Sequence, residues 1–207
     1  MLNILSPDSF LGRWLAFLVD ALLVSLVWLL CSVPIVTIGA ANTALFRVAM
    51  NWMRHRDGCT VKEFWRAFRS NFSKATMLWL VLLAFFVLIA LDGYLVLFTE
   101  LALPGIFRIM FFLILALWVS WAGYTFALQS VFENSVGRTL GNALRFIPGT
   151  FTRTVILLLI DCIAGGLVYL VPLAAWAIIP AVVFLSARIY WNGFLPLIDE
   201  DCLITNE

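Results

Sequence analysis

Residues 75–98 read ATMLWLVLLAFFVLIALDGYLVLF, and this stretch decides the class of fold. Its single charged side chain is Asp92. A helix needs about 20 mostly apolar residues to cross the hydrocarbon core of a bilayer, and this stretch reaches that length. The sequence therefore predicts a transmembrane helix here.

The composition of the whole chain agrees with this prediction. The chain has 207 residues, of which 64% are hydrophobic and 12% are charged, and its mean hydropathy is +1.05. Soluble domains are about 45–50% apolar and about 25% charged. A soluble domain of this size could not bury so much apolar surface, because a large share of a small domain faces water. The net charge of +1 provides no basic field for nucleic acid.

Five apolar stretches predict an all-α membrane protein, a bundle of about five transmembrane helices in a single domain over residues 1–207. The predicted spans cover approximately residues 14–38, 75–98, 109–128, 154–170 and 173–191. Two longer connections, approximately 39–74 and 129–153, hold predicted amphipathic helices.

The basic residues of the chain predict its orientation. Lys and Arg are concentrated in the connections 39–74 and 129–153, which lie on one side because two predicted spans separate them, and an odd number of spans places the two termini on opposite sides. Because cytoplasmic loops carry the excess of Lys and Arg, we expect the N-terminus outside and the basic loops and C-terminus inside. Arg13, close to the N-terminus, is a weak indication of the opposite orientation.

The first basic connection contains a predicted amphipathic helix. Thr60 and Glu63 have the spacing of a capping box at its start. The candidate docking residues are Phe64, Trp65 and Phe68 on its apolar stripe and Lys62, Arg66 and Arg69 on another face. Two interpretations remain open, because the same pattern suits a helix on the anionic inner leaflet and a helix that docks a partner subunit. A shorter helix with Arg138 and Arg145 on one face is predicted in the second connection.

Three aspartates fall within predicted spans, namely Asp20, Asp92 and Asp161. A carboxylate within a bilayer costs a few kcal/mol near the centre, so each one needs a reason. In one interpretation, these aspartates form a proton or cation relay or contact a solute in a polar cavity. Alternatively, Asp20 and Asp92 lie near the outer headgroups, and Asp161 is protonated or hydrogen-bonded to a neighbouring helix.

Signatures of enzymes are absent from the sequence. We find no P-loop, no GxGxxG, no HExxH and no GxSxG. His55 is the only histidine, and no two of the four cysteines form a CxxC pair. We therefore predict no catalytic, cofactor-binding or metal-ligating residues, and we expect reduced, structural cysteines.

Residues 30–46, LCSVPIVTIGAANTALF, form the most specific motif of the chain. They resemble the signature of the YesL-like family of bacterial membrane proteins, a family of unknown function. Residues 64–76, FWRAFRSNFSKAT, are similar to the aromatic and basic helix that precedes the second span of that family. Within the first motif, Pro34 can end or kink a helix, Gly39 can relieve the bend, and Thr37 and Thr43 can satisfy freed backbone groups.

The resemblance implies a location in the bacterial cell membrane and a link to carbohydrate uptake. Members of the family tend to be encoded beside carbohydrate-utilisation genes and binding-protein-dependent sugar importers. This implies a non-enzymatic accessory or scaffold component of a carbohydrate ABC importer, with its permease or ATPase subunits as partners besides the lipid bilayer. The alternative, based on the aspartates, is a self-contained transporter or channel for small solutes or ions.

Overall fold

The computed structural model describes residues 10–55, 61–98 and 104–194, and within these ranges it contains seven α-helices and no strand. The helices are α1 (Phe10–Ser32), α2 (Ile38–His55), α3 (Val61–Phe98), α4 (Gly105–Val131), α5 (Val136–Gly149), α6 (Phe151–Leu170) and α7 (Ala175–Phe194). Short 3-10 turns at Ile35–Thr37 and Pro172–Ala174 precede α2 and α7. The predicted all-helical class is therefore confirmed.

Four of these helices, namely α3, α4, α6 and α7, are long and apolar enough to cross a membrane. They correspond to the last four predicted spans. Helix α1 ends at Ser32, within the first predicted span (14–38), and the 3-10 turn Ile35–Thr37 follows. The predicted capping residue Thr60 lies outside the described residues.

Helix α2 is the main difference between prediction and structure. The sequence predicts residues 39–55 as part of a basic connection, whereas in the structure they form a helix in contact with α1, α3, α4 and α7. Every residue from Thr43 to Met50 is buried. Small side chains at Ala40, Ala41 and Ala44, all with 0% exposure, let the neighbouring helices approach closely. Helix α2 is therefore the centre of the bundle.

The turn from α1 into α2 is made by Pro34 and Thr37. Pro34 is followed at once by the 3-10 turn. The Thr37 hydroxyl lies 2.6 Å from the carbonyl oxygen of Cys31 and 2.8 Å from that of Pro34. Trp79 of α3 donates its indole N–H to the carbonyl of Ile35 at 2.7 Å. The carbonyl oxygens that lose their helical hydrogen bonds at this break are thus paired with side-chain donors.

Past this turn, α2 folds back beside both α1 and α3. The Trp28 indole of α1 donates to the side-chain oxygen of Asn42 at 2.9 Å, and the Thr43 hydroxyl donates to the carbonyl of Gly39 at 2.9 Å. At the other end of α2, the amide of Asn51 donates to the carboxylate of Glu63. Because α2 meets Trp79 near its start and Glu63 near its end, it runs antiparallel to the first half of α3.

Helix α3 is continuous over 38 residues and joins the predicted docking helix to the second predicted span. At 1.5 Å per residue its length is about 57 Å, whereas the hydrocarbon core of a bilayer is about 30 Å thick. An α3 that crosses a membrane is therefore longer than the hydrocarbon core by roughly the length of its first half. This half carries Lys62, Arg66 and Arg69, and we call the end of the bundle where it lies the basic end.

Packing differs between the two ends of the bundle. Near the basic end the helices enclose a continuous core that includes Phe64, Leu128 and Phe194. Towards the opposite end, large apolar side chains are exposed, such as Leu88 with 62% and Tyr169 with 86% exposure. Such apolar surface is compatible with lipid as the surrounding solvent.

The contact of Gly39 with α3 yields a first prediction. A Cβ atom at Gly39 would collide with Cβ of Trp79 and lie 2.6 Å from the backbone oxygen of Ala75, whereas a Cβ at Gly165 would meet nothing within 4 Å. We expect Gly39→Ala to destabilise the protein by about 1–3 kcal/mol through overpacking. Thermal unfolding in detergent measures the effect, and Gly165→Ala is the matched control. A Gly39→Ala variant as stable as the control would contradict the close packing of α2 on α3.

Candidate functional site

The first half of α3 divides the predicted docking residues between two environments. Phe64 and Phe68 are buried, with 0% and 9% exposure, and they belong to the core of the bundle. Trp65 is 48% exposed and stacks on Phe68 with ring centroids 5.6 Å apart. The apolar stripe thus packs mainly against the protein's own helices, which leaves only part of the predicted set accessible.

The accessible part consists of Lys62, Trp65, Arg66 and Arg69, all exposed. Residues three and four positions apart lie on one side of a helix, so these side chains form a continuous strip that we call the α3 basic face. Glu63, the only acidic residue in the first turn of α3, is hydrogen-bonded to Asn51 of α2. The α3 basic face therefore presents three positive charges and one indole.

Buried polar contacts fix α3 relative to α4 and α5. Gln129 of α4, with 1% exposure, donates from its amide to the side-chain oxygen of Asn71 at 3.3 Å. The hydroxyl of Thr139 on α5, also with 1% exposure, donates to the amide oxygen of Gln129 at 3.1 Å. Inside a protein such bonds hold a specific arrangement, because leaving one partner unsatisfied is costly.

Arg47 connects α2 to α4. Its side chain is buried, with 9% exposure, and its guanidinium donates to the carbonyl of Ser130 at 2.8 Å. Ser130 lies in the last turn of α4, where carbonyls have no partner within the helix and a positive charge is favourable. By its place in the connection 39–74, Arg47 is expected from the sequence to be one of the exposed loop cations. Its position between Phe46 and Val48, in a run with small and apolar residues, is the only signal of burial that the sequence offers.

A second polar cluster joins α4 to α6. The hydroxyl of Tyr124 lies 2.7 Å from that of Thr150 and 3.1 Å from that of Thr154. The ring of Tyr124 packs edge-on against Tyr190 of α7, with centroids 5.0 Å apart. Sequence reasoning did not identify this cluster. This cluster connects α6 and α7 to α4.

The three intramembrane candidates lie on three different helices. Asp20 is part of α1 and partly buried, Asp92 is exposed near the end of α3, and Asp161 is partly buried in α6. Arg108, near the start of α4, is exposed at the same end of the bundle as Asp92. Across the described ranges, no three His, Cys, Asp or Glu side chains are grouped as a metal site would require.

The residues of the 30–46 motif contact the chain itself. Pro34 and Thr37 form the turn into α2, Gly39 lies against α3, and Thr43 is fully buried in α2. Their described contacts all serve helix packing and the satisfaction of backbone groups.

Comparison with known proteins gives one similarity. A family described as "Protein of unknown function, DUF624" matches residues 21–93. No curated protein and no solved structure matches the chain. The matched region runs from within α1 through the Pro34 turn and α2 to the last turns of α3, so it includes the α3 basic face.

The polar contacts of α5 yield a second prediction. Thr139→Val keeps the shape of the side chain but leaves the buried amide oxygen of Gln129 without this donor. We expect a loss of about 1–3 kcal/mol in the free energy of unfolding. Thr152→Val, at an exposed position of α6, is the matched control and should stay within about 0.5 kcal/mol. Equal stability of the two variants in chemical or thermal unfolding would argue against the Gln129 contact.

Proposed function

We propose that this chain is a non-enzymatic accessory or scaffold subunit that docks a partner protein through the α3 basic face. The observation that carries the proposal is a 38-residue helix, longer than a bilayer is thick, whose first half packs against the bundle and exposes cations and an indole.

The length of α3 favours a protein partner over lipid headgroups. If Phe98 lies at the far boundary of the hydrocarbon core, Val61 lies about 25 Å beyond the near boundary. The polar headgroup layer adds only about 5–8 Å on each side. Lys62 and Arg66 then lie past the headgroups, where an adjacent soluble domain or cytoplasmic loop is the natural binding partner.

The packing of α3 makes this surface suitable for recognition. Burial of Phe64 and Phe68 against the bundle and the Asn51–Glu63 hydrogen bond fix the helix before any partner arrives. A surface that is already ordered loses less entropy on binding. Arg and Trp are also the residue types enriched at the energetically important centres of protein interfaces. By charge complementarity, the partner surface is acidic.

The orientation proposed for the chain follows from its Lys and Arg residues. We propose that the basic end faces the cytoplasm of a bacterial cell, because it carries the excess of Lys and Arg. The partner of the α3 basic face is then a cytoplasmic protein or the cytoplasmic side of another membrane protein.

We further propose that the partner is the permease or ATPase subunit of a carbohydrate ABC importer. This part rests on the resemblance to the YesL-like family, whose two motifs lie at residues 30–46 and 64–76, inside the region matched by the family of unknown function. The alternative of a self-contained transporter has less support, because its candidate aspartates lie on three different helices and Asp92 is exposed near a helix end.

Co-purification tests the proposal. A tagged chain is extracted in mild detergent, and the retained proteins are identified by mass spectrometry. We expect Lys62→Gln/Arg66→Gln to reduce retention of the partner at least about tenfold, since two interface cations are lost. Arg138→Gln/Arg145→Gln removes the same charge from α5 and should retain the partner.

Three results would count against the proposal. A native chain that retains no importer subunit argues against the importer assignment. Equal retention by the native chain and the Lys62→Gln/Arg66→Gln variant argues against the α3 basic face. A partner whose contacts lie outside the cell would reverse the proposed orientation.

A further inference from the structure

Helix α5 carries a second exposed basic surface, separate from the α3 basic face. Four residues separate it from Val131, the last residue of α4, and one residue separates it from Phe151, the first residue of α6. Both neighbouring helices are long and apolar enough to cross a membrane. If α4 and α6 cross the membrane, these short connections hold α5 close to the membrane surface at the basic end, whereas the start of α3 would lie farther from it.

One side of α5 is fixed to the bundle. Thr139 and Ala143 have 1% and 0% exposure. The indole of Trp121 on α4 donates to the carbonyl of Leu140 at 3.0 Å, and Phe146 packs edge-on against Phe194 with ring centroids 5.3 Å apart. Rotation of α5 about its axis would break these contacts. The orientation of its opposite side is therefore determined.

The exposed side combines cations with apolar groups. Arg138 and Arg145 are seven positions apart, so they lie above one another on the same side of the helix, and both are exposed. Leu144, with 44% exposure, lies on the adjoining part of this side, and Phe151, with 69% exposure, follows at the start of α6. A helix that lies in a membrane interface has this combination of basic and apolar sectors.

The charges around this surface favour an anionic ligand. Helix α5 contains no Asp or Glu. Glu133 precedes the helix and is exposed, and the guanidinium of Arg153 lies over Gly193 of α7. Arg is well suited to phosphate, because its planar guanidinium forms paired hydrogen bonds with phosphate oxygens.

We propose that α5 binds the headgroups of anionic phospholipids in the leaflet at the basic end. Arg138 and Arg145 contact the lipid phosphates, while Leu144 and Phe151 enter the boundary with the acyl chains. This site is independent of the proposed partner docking, which uses a different helix and residues that lie farther from the bilayer.

The affinity of the purified full-length protein for phosphatidylglycerol tests this inference. The lipid is titrated into protein in neutral detergent, and the rise in melting temperature gives an apparent affinity. A cation near an anionic membrane surface contributes about fivefold to binding, so Arg138→Gln/Arg145→Gln should bind about 30-fold more weakly. Lys62→Gln/Arg66→Gln, with the same loss of charge, should stay within about twofold of the native protein, because those residues lie past the headgroups.

Further variants and lipids make the test specific. Arg138→Lys/Arg145→Lys keeps both charges and should retain most of the preference for phosphatidylglycerol over neutral phosphatidylcholine. Without added lipid, the double variants should melt close to the native protein, because the altered side chains are exposed. The proposal is overturned if the native protein has no such preference, if the α3 variant loses as much affinity as the α5 variant, or if the α5 variant loses a co-purified partner while its lipid preference persists.

Discussion

The close contact between α2 and α3 at Gly39 is the constraint on which the rest of this architecture depends. Only a residue without a side chain lets the two backbones approach there, beside Ala75 and Trp79. Once α2 lies in this position, its small and apolar residues fill the centre of the bundle, and α4 and α7 pack around them. The first half of α3 packs against α2 along its length.

Polar residues determine how the helices are arranged around this centre. Arg47 satisfies a carbonyl at the end of α4, and Gln129 links α3 to α5 through Asn71 and Thr139. These bonds are short-range and directional, whereas apolar contacts alone would allow the helices to slide or rotate. The consequence for function is that the exposed sides of α3 and α5 are fixed. In the proposed membrane placement, the exposed side of α3 projects away from the bilayer and that of α5 lies at its surface, so we propose different ligands for these two basic surfaces.

Much of this fold follows from the sequence, and the exceptions have physical causes. Apolar length predicts the long helices, and Pro34 and Thr37 indicate the break after α1. The sequence does not predict α2 as a span, because this helix has only 18 residues and carries the polar residues Asn42 and Arg47. The same limit applies to the candidate site. An apolar stripe on a basic helix suits lipid, a partner or the protein's own core, and periodicity cannot distinguish these cases. Only the structure shows that Phe64 and Phe68 face inward.

The most direct test of this account asks whether α2 is the buried centre of the bundle. In a chain whose native cysteines are replaced, single cysteines are introduced as Ala44→Cys on α2 and Ser70→Cys on the exposed side of α3. Both are treated in mild detergent with a water-soluble maleimide. A buried α2 predicts rapid labelling of Ser70→Cys, and labelling of Ala44→Cys only after unfolding in sodium dodecyl sulfate. Equally rapid labelling of both cysteines in the folded protein would show that residues 39–55 form an exposed connection, and it would contradict the account.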